Sequence, residues 1–289
     1  MWGQTVDPSE APAWCRIVND PDAAAGADAV VFHLPTLRRR GRPKPPGQLW
    51  VGWTMECDVN YPHQQNRNVM NRFDLTMTYH RSADVFAGYL GLYLNEEGCE
   101  ETLRRPPGPK EPGNLASMFI SSAINKSGRF QYASELMQYL DVHSYGRSLN
   151  NRRLPGPDRG RSTKLAQLSR YKFDLSFENA IGNDYVTEKF YDPLMCGTVP
   201  VYLGAPNVSE FAPGERCFID VSDFASAKEL AEYLLFLDQD DDAYAEYFAW
   251  KENPFLPPFQ KMVDEQSTPA FARLCEVVRS RSPQPNSSP

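Results

Sequence analysis

The chain has 289 residues, 41% hydrophobic and 23% charged, with a net charge of −7. That composition fits a globular protein with room for two modest domains, and its mild acidity argues against nucleic acid as a partner. No stretch approaches the roughly 18 consecutive apolar residues of a membrane span, and the opening MWGQTVDPSEAPAW lacks both the basic region and the apolar run of a signal peptide. A cytoplasmic chain, at most peripherally associated with membranes, is therefore expected.

Residues 27–33 (ADAVVFH) read as a buried strand. Residues 34–48 form a basic loop with Arg38, Arg39, Arg40, Arg42 and Lys44, expected to be solvated rather than to hold phosphate. Residues 49–54 are the next strand and deliver Met55-Glu56 at its end, and 73–79 (FDLTMTY) alternate as a further strand. Residues 95–114, charged and then rich in Pro and Gly, read as a linker. A strand at 115–122, a helix at 131–140 and a strand at 142–145 follow, then a basic, mobile loop at 149–163.

The central stretch is 171–204, YKFDLSFENAIGNDYVTEKFYDPLMCGTVPVYLG. Residues 171–177 alternate as a half-buried strand. Asn179 to Asp184 is turn chemistry, with Asp184 placed to cap a helix. Val186, Phe190 and Leu194 recur every four residues, the apolar stripe of that helix, and Gly197 sits at its C-terminal end. Residues 199–203 are a buried strand. Strand, helix and strand make a right-handed βαβ unit and hence a parallel sheet, whose ligands bind at the carboxyl ends of the strands. Glu178, Asn179, Tyr185, Glu188 and Lys189 all fall there. A helix N-terminus with a lysine in its first turn suits phosphate, and a carboxylate such as Glu188 suits the hydroxyls of a ribose.

The FEN, DYVTEK and VPVYLGAP segments closely resemble the signature block of the α-1,3/1,4-fucosyltransferases, glycosyltransferase family ten. The likeness runs over roughly residues 50–255, through Phe218-Ile219-Asp220-Val221 to Trp250. It implies an α/β enzyme of the GT-B architecture, two Rossmann-like domains facing across a cleft: residues 1–105 binding the acceptor, 114–265 binding GDP-fucose, and 266–289 a C-terminal helix and disordered tail. That helix, starting at Thr268-Pro269, is expected to brace the first domain. The implied reaction is inverting transfer of L-fucose from GDP-β-L-fucose to a glycan hydroxyl, by family habit O3 of N-acetylglucosamine, giving an α-1,3 linkage.

By the same resemblance Glu56, in the TME segment, matches the catalytic base. Arg129, in SGRFQYASEL, and Lys189 match the two diphosphate contacts. Tyr185 and Glu188 match nucleotide contacts, with Glu188 on the ribose, and Asn179 and Glu178 either touch the ligand or order its loop. No metal site is implied and no cofactor is required, with Mn²⁺ or Mg²⁺ at most stimulatory. Other nucleotide sugars on the same fold, or an inactive glycan-binding relative, are the alternatives. A Golgi location would follow if an anchored N-terminus lies upstream. Two departures stand out: relatives open with a strand just before a segment like residues 2–6, and Ser122-Ala123 stands where many have Ser-Asn.

Six cysteines, at 15, 57, 99, 196, 217 and 275, show no C-x-x-C and no metal-like pairing with the four histidines, so they are expected to be free and mostly buried. Sequons begin at Asn125, Asn207 and Asn286 and matter only in a secreted chain. The acidic run 238–242 reads as a helix terminus and turn rather than a D-x-D metal site, and Tyr244, Tyr247 and Trp250 read as packing rather than sugar platforms.

Overall fold

The computed structural model describes residues 11–37, 43–94 and 98–281. The segment 2–6, Arg38 to Arg40, Arg42, the sequon at Asn286 and the tail beyond 281 lie outside the described residues. The chain divides into two compact units, Met1–Asn95 with Asp264–Pro289, and Glu96–Val263.

Unit 1 holds β1 (Ala29–His33), β2 (Leu49–Thr54), β3 (Leu75–Thr78) and β4 (Val85–Phe86), with short helices α1 (Arg67–Met70) and α2 (Gly91–Leu94). Unit 2 runs through α3 (Cys99–Arg104), β5 (Ala116–Met118), α4 (Arg129–Leu136), β6 (Val142–Ser144), α5 (Arg161–Leu168), β7 (Phe173–Phe177), α6 (Glu188–Cys196), β8 (Val199–Leu203), β9 (Ile219–Asp220), α7 (Ala227–Gln239), α8 (Asp241–Ala245) and most of α9 (Pro257–Gln266). The last helix, α10 (Ala270–Arg281), belongs to unit 1.

The sheet of unit 1 is parallel throughout, in the order β1-β2-β3-β4. Its strands are rich in Val, Phe, Trp and Thr, side chains that fit a pleated, half-buried surface. Val51, Leu75, Met77, Val85 and Ala87 form the core, and Leu274 of α10 packs into it. The Phe271 ring meets Trp53 edge-on at 5.4 Å. Arg273 Nη2 donates to the Phe86 carbonyl at 2.7 Å and Arg281 Nη2 to Asp84 Oδ1 at 2.7 Å. These bonds carry the helix past 279, where disorder was expected, and Arg279 stacks over Trp14 at 4.8 Å.

Two expectations are corrected in these regions. Cys15 and Cys275 are not free; they form a disulfide across a sequence separation of 260. Nothing in the spacing reveals it, because only the packing of α10 brings the two Cα atoms to 6.3 Å, within bridging range. The boundary at 105 also moves. Residues 99–104, expected in the first domain and linker, form α3 of unit 2, where the buried Lys251 ammonium binds the Leu103 and Leu194 carbonyls and Arg104 Nη1 donates to Asn253 O at 2.8 Å.

Unit 2 has the parallel strand order β6-β5-β7-β8-β9. The order reverses beside β5, so the switch point lies between the carboxyl ends of β5 and β7, the place where such sheets bind ligands. All five residues of β7 are buried, not every second one, because a central parallel strand is covered on both faces. Its core joins Met118, Leu136, Val142, Phe173, Leu175, Phe177, Val201 and the α7 stripe Leu230, Leu234 and Leu237. Ser226 caps α7 by accepting from Glu229 N at 3.2 Å, and Glu229 Oε2 accepts from Ala225 N at 2.9 Å. In the acidic run, Asp238 and Asp241 pair with Lys172 at 3.0 and 3.5 Å while Asp240 caps α8. Tyr244, Tyr247 and Trp250 are buried packing residues. Among the described residues no helix is long and apolar enough to cross a membrane.

Candidate functional site

At the switch point, the residue capping α6 is Thr187, not Asp184. The Thr187 hydroxyl accepts from Lys189 N at 3.3 Å, whereas Asp184 has a left-handed backbone, φ 65°, and is tied by its N–H and carboxylate to Asn207 at 2.9 Å each. The chain thus makes a sharp turn before the helix starts, which aims the first-turn N–H groups of α6 at the carboxyl edge of β7. Gly197 closes the helix with φ 65°, and a Cβ there would come within 2.7 Å of Pro107.

Glu178, the residue following β7, is fully buried. Its Oε1 accepts from Thr187 N at 2.8 Å and its Oε2 from the Thr187 hydroxyl at 2.9 Å, with the Lys189 ammonium 3.3 Å away. Burial raises its pKa even against the field of Lys189. With both oxygens committed, Glu178 anchors the helix cap, the loop-ordering half of its expected role. Lys189 Nζ also donates to the Thr187 hydroxyl and to Glu188 Oε1, each at 3.0 Å. Burial would lower the Lys189 pKa, but Glu178 and Glu188 outweigh it and raise it. Burial likewise opposes ionisation of Glu188, but Lys189 and Lys164 prevail and bring that carboxyl down to about 2. Glu188 and Lys189 keep side-chain exposures of 31% and 18%; these are the two expected donor residues that present charge at the surface.

The others lie beneath. Arg129 is 1% exposed. Its guanidinium donates to Phe177 O at 3.1 Å, Ser122 O at 3.0 Å and Ile124 O at 2.9 Å, while Nε is buried with no hydrogen-bond partner among the described residues. Arg129 therefore stitches the end of β7 to the β5–α4 loop and adds its positive field from below. Tyr185 is 2% exposed, and its carbonyl accepts from the Tyr202 hydroxyl at 3.2 Å. The Asn179 carbonyl accepts from Lys126 N at 2.8 Å and Ser127 N at 3.2 Å, fixing the same loop. Gly204 is required here: a Cβ would meet Tyr202 Oη at 2.4 Å and Glu178 Cγ at 2.7 Å.

The sequence reading missed Thr187, although it stands inside the DYVTEK segment as a hydroxyl residue just before a Glu-Lys pair, an ordinary cap signal. It also missed α5 and its Lys164, since the Pro/Gly-rich residues ahead of that helix masked its short apolar pattern.

In unit 1, Glu56 follows β2 in a turn held by its own N–H, which donates to Thr54 Oγ1 at 2.9 Å. The residues around it are pinned: the Tyr89 hydroxyl donates to Met55 O at 2.8 Å, and Asp58 Oδ1 accepts from the Tyr79 hydroxyl at 2.9 Å. A hydrogen bond from His80, with Tyr79 assisting against burial, holds Asp58 down to about 2. Burial, then the field of Glu56, raises the Tyr61 pKa. Glu56 itself is half-buried.

A family model described as glycosyltransferase family 10 (fucosyltransferase) C-term matches residues 110–288, and one described as fucosyltransferase, N-terminal, matches 3–90. The chain is 35% identical over 261 residues to the 3-galactosyl-N-acetylglucosaminide 4-alpha-L-fucosyltransferase FUT3 of Bos taurus, covering 87% of this chain and 66% of that protein. It is 33% identical over 276 residues to the alpha-(1,3)-fucosyltransferase 4 of Homo sapiens, covering 94% and 48%. The chain thus spans about half to two-thirds of the length of these curated relatives. A crystal structure of an alpha1,3-fucosyltransferase shares the fold with a TM-score of 0.57 at 20% identity, covering 88% of this chain and 78% of that one. The two Rossmann-like units are those of the GT-B class, and the chain belongs to glycosyltransferase family 10, the fucosyltransferases.

Proposed function

We propose that this chain is an inverting α-1,3-fucosyltransferase, moving L-fucose from GDP-β-L-fucose to a glycan hydroxyl, O3 of an N-acetylglucosamine. The observation that carries the reading is the locked N-terminus of α6, where Lys189 and Glu188 stand together on the first turn of the helix at the switch point of unit 2. Helix N–H groups and an ammonium suit a diphosphate, and the ionised Glu188 suits the ribose diol.

On this reading the Glu56 carboxylate takes the proton from the acceptor hydroxyl as its oxygen attacks the anomeric carbon from the face opposite the leaving group. The bond between that carbon and the phosphate oxygen breaks, and Lys189 with the helix N-terminus stabilises the charge growing on GDP. Arg129 and Glu178 keep those groups in place from beneath. Because the positive charge is supplied by the protein, no metal ion is required, and turnover is expected to persist in a chelator, with Mn²⁺ or Mg²⁺ at most stimulating it. The Cys15–Cys275 bond favours an oxidising compartment over the cytoplasm, which thiol trapping of the protein at extraction would check.

The test is GDP release from GDP-fucose with N-acetyllactosamine as acceptor, wild type beside Glu56→Ala, and GDP-fucose binding measured on both. Turnover should fall by about a hundredfold or more in the variant, the scale of a lost general base, while donor binding holds. A wild type that fails to bind GDP-fucose overturns the donor, and a variant that keeps full turnover overturns the base.

A further inference from the structure

Along α6, Glu188, Asp192 and Cys196 recur every four residues and so form one polar stripe. Helix α5 lies against that stripe. Lys164 Nζ donates to Asp192 Oδ2 at 2.9 Å, Arg161 Nε donates to Asp192 Oδ1 at 3.1 Å, and the Cys196 thiol donates to Leu165 O at 3.4 Å. Asp192 is 1% exposed, and a carboxylate buried that deeply is costly unless cations and hydrogen bonds compensate it. Two cations do so here, yet they are not equivalent. Arg161 opens α5 and is 32% exposed, while Lys164 is 20% exposed. Lys164, held by its bond to Asp192 one turn along α6 from Glu188, also acts on that carboxylate through its field.

The charges at the helix start explain why a second cation is needed. Lys189 is divided among Thr187, Glu188 and Glu178. A carboxylate meant to accept hydroxyl hydrogen bonds beside a diphosphate faces like charge; the shared Lys189 is its strongest compensation and Lys164 the next.

We propose that Lys164 is a positioning residue of the donor site: anchored on Asp192, its ammonium keeps Glu188 a charged acceptor for a vicinal diol while a nucleoside diphosphate occupies the start of α6. This rests on the reading of Glu188 as the ribose partner. Lys164 touches no part of the nucleotide in this scheme; it acts through Glu188. Neither the motif-bearing segment nor the helix that carries that segment contains it.

The test measures GDP affinity by calorimetry on wild type, Lys164→Gln, Lys164→Arg, Arg161→Gln, Glu188→Gln and the double variant Lys164→Gln/Glu188→Gln. Lys164→Gln should weaken GDP about tenfold, a coupling of ordinary size for neighbouring charges, and raise KM for GDP-fucose with little change in kcat. Lys164→Arg should restore most of the loss. Arg161→Gln, which removes the other cation from the same carboxylate, should cost less than about twofold. With Glu188 already Gln, Lys164→Gln should add little. If Lys164→Gln fails to fold, Asp192→Asn, which releases the lysine from its anchor and leaves no unpaired buried carboxylate, takes its place in the cycle with Glu188→Gln, and the same non-additivity is expected. Additive losses in the cycle, or equal losses from Arg161→Gln and Lys164→Gln, overturn the proposal. A wild type that binds no GDP overturns the donor reading beneath it instead.

Discussion

Strands β2 and β7 each deliver a glutamate at their carboxyl end, and the two units treat it in opposite ways. Glu178, after β7, is fully buried, with Thr187 on both its oxygens and Lys189 beside it. Glu56, after β2, is half-buried and positioned through its main chain by Thr54. Burial decides what each can do. A carboxylate sealed under a helix cap must be paired to survive there, and once paired it is an anchor. One that keeps contact with water needs no such burial partner to stay charged. On the proposed reading, unit 2 supplies fixed charge to the diphosphate and unit 1 supplies the carboxylate that takes the proton.

Exchanging each glutamate for glutamine separates the two roles with the largest expected effects. Glu56→Gln should cut kcat by about a hundredfold or more and leave the melting temperature and GDP affinity where they were. Glu178→Gln should do the reverse at first, destabilising unit 2 by about 2–4 kcal/mol because Lys189 and the Thr187 cap lose a buried partner. Urea unfolding and calorimetry with GDP read both. A Glu178→Gln protein of normal stability whose only fault is slow chemistry would break the comparison, making Glu178 a participant instead of an anchor.

Unit 1 relies on a covalent tie where unit 2 relies on buried ions. Cys15→Ser, or reduction of the Cys15–Cys275 bond, should cost unit 1 about 2–4 kcal/mol. Hydrogen exchange is the discriminating measurement: amides of β1 to β3 should exchange faster, and those of β7 and β8 should not change. Equal acceleration in both sheets would mean that the two units do not differ in this respect.

What the sequence made legible follows the same division. Residues 49–54 and 199–203 were read to the residue, and α6 with its Gly197 stop was read nearly so, because an apolar run ended by a loop or glycine leaves few alternatives. The motif put Glu188 and Lys189 at the carboxyl end of the sheet, and the structure places them on the first turn of α6 with part of each side chain at the surface. It could not show that Arg129, Tyr185 and Glu178 are buried, since a residue shared with a binding motif can serve by shaping the loop beneath the ligand as well as by touching it. Helix α5 was lost in a Pro/Gly-rich stretch, although Lys164 proves central to the charge balance of α6. The disulfide was invisible for a different reason: a separation of 260 residues carries no local signal.

The smallest effect probes how completely unit 2 neutralises what it buries. Asp192 has a lysine and an arginine on it and Glu178 has a lysine, but Asp174 in β7 accepts from the hydroxyls of Ser117 at 2.9 Å and Ser176 at 3.1 Å, with no cation in direct contact among the described residues. Burial pushes its carboxyl up to about 6, with Lys164 and the two serines opposing. A folded-state pKa above the unfolded one means that the proton is held more tightly in the native chain. The associated stability is complete below the unfolded value, near 3.8, and is lost as pH rises through about 6. At neutral pH the ionised Asp174 is thus a net cost. Asp174→Asn, whose amide can still serve both serine hydroxyls, should raise stability by about 1 kcal/mol at pH near 7.5 and by almost nothing near pH 4, read from urea midpoints at the two pH values. A gain that is equal at both would trace to packing instead of charge. A loss at neutral pH would mean that Asp174 is paired as firmly as Glu178 and that unit 2 leaves none of its buried carboxylates uncompensated.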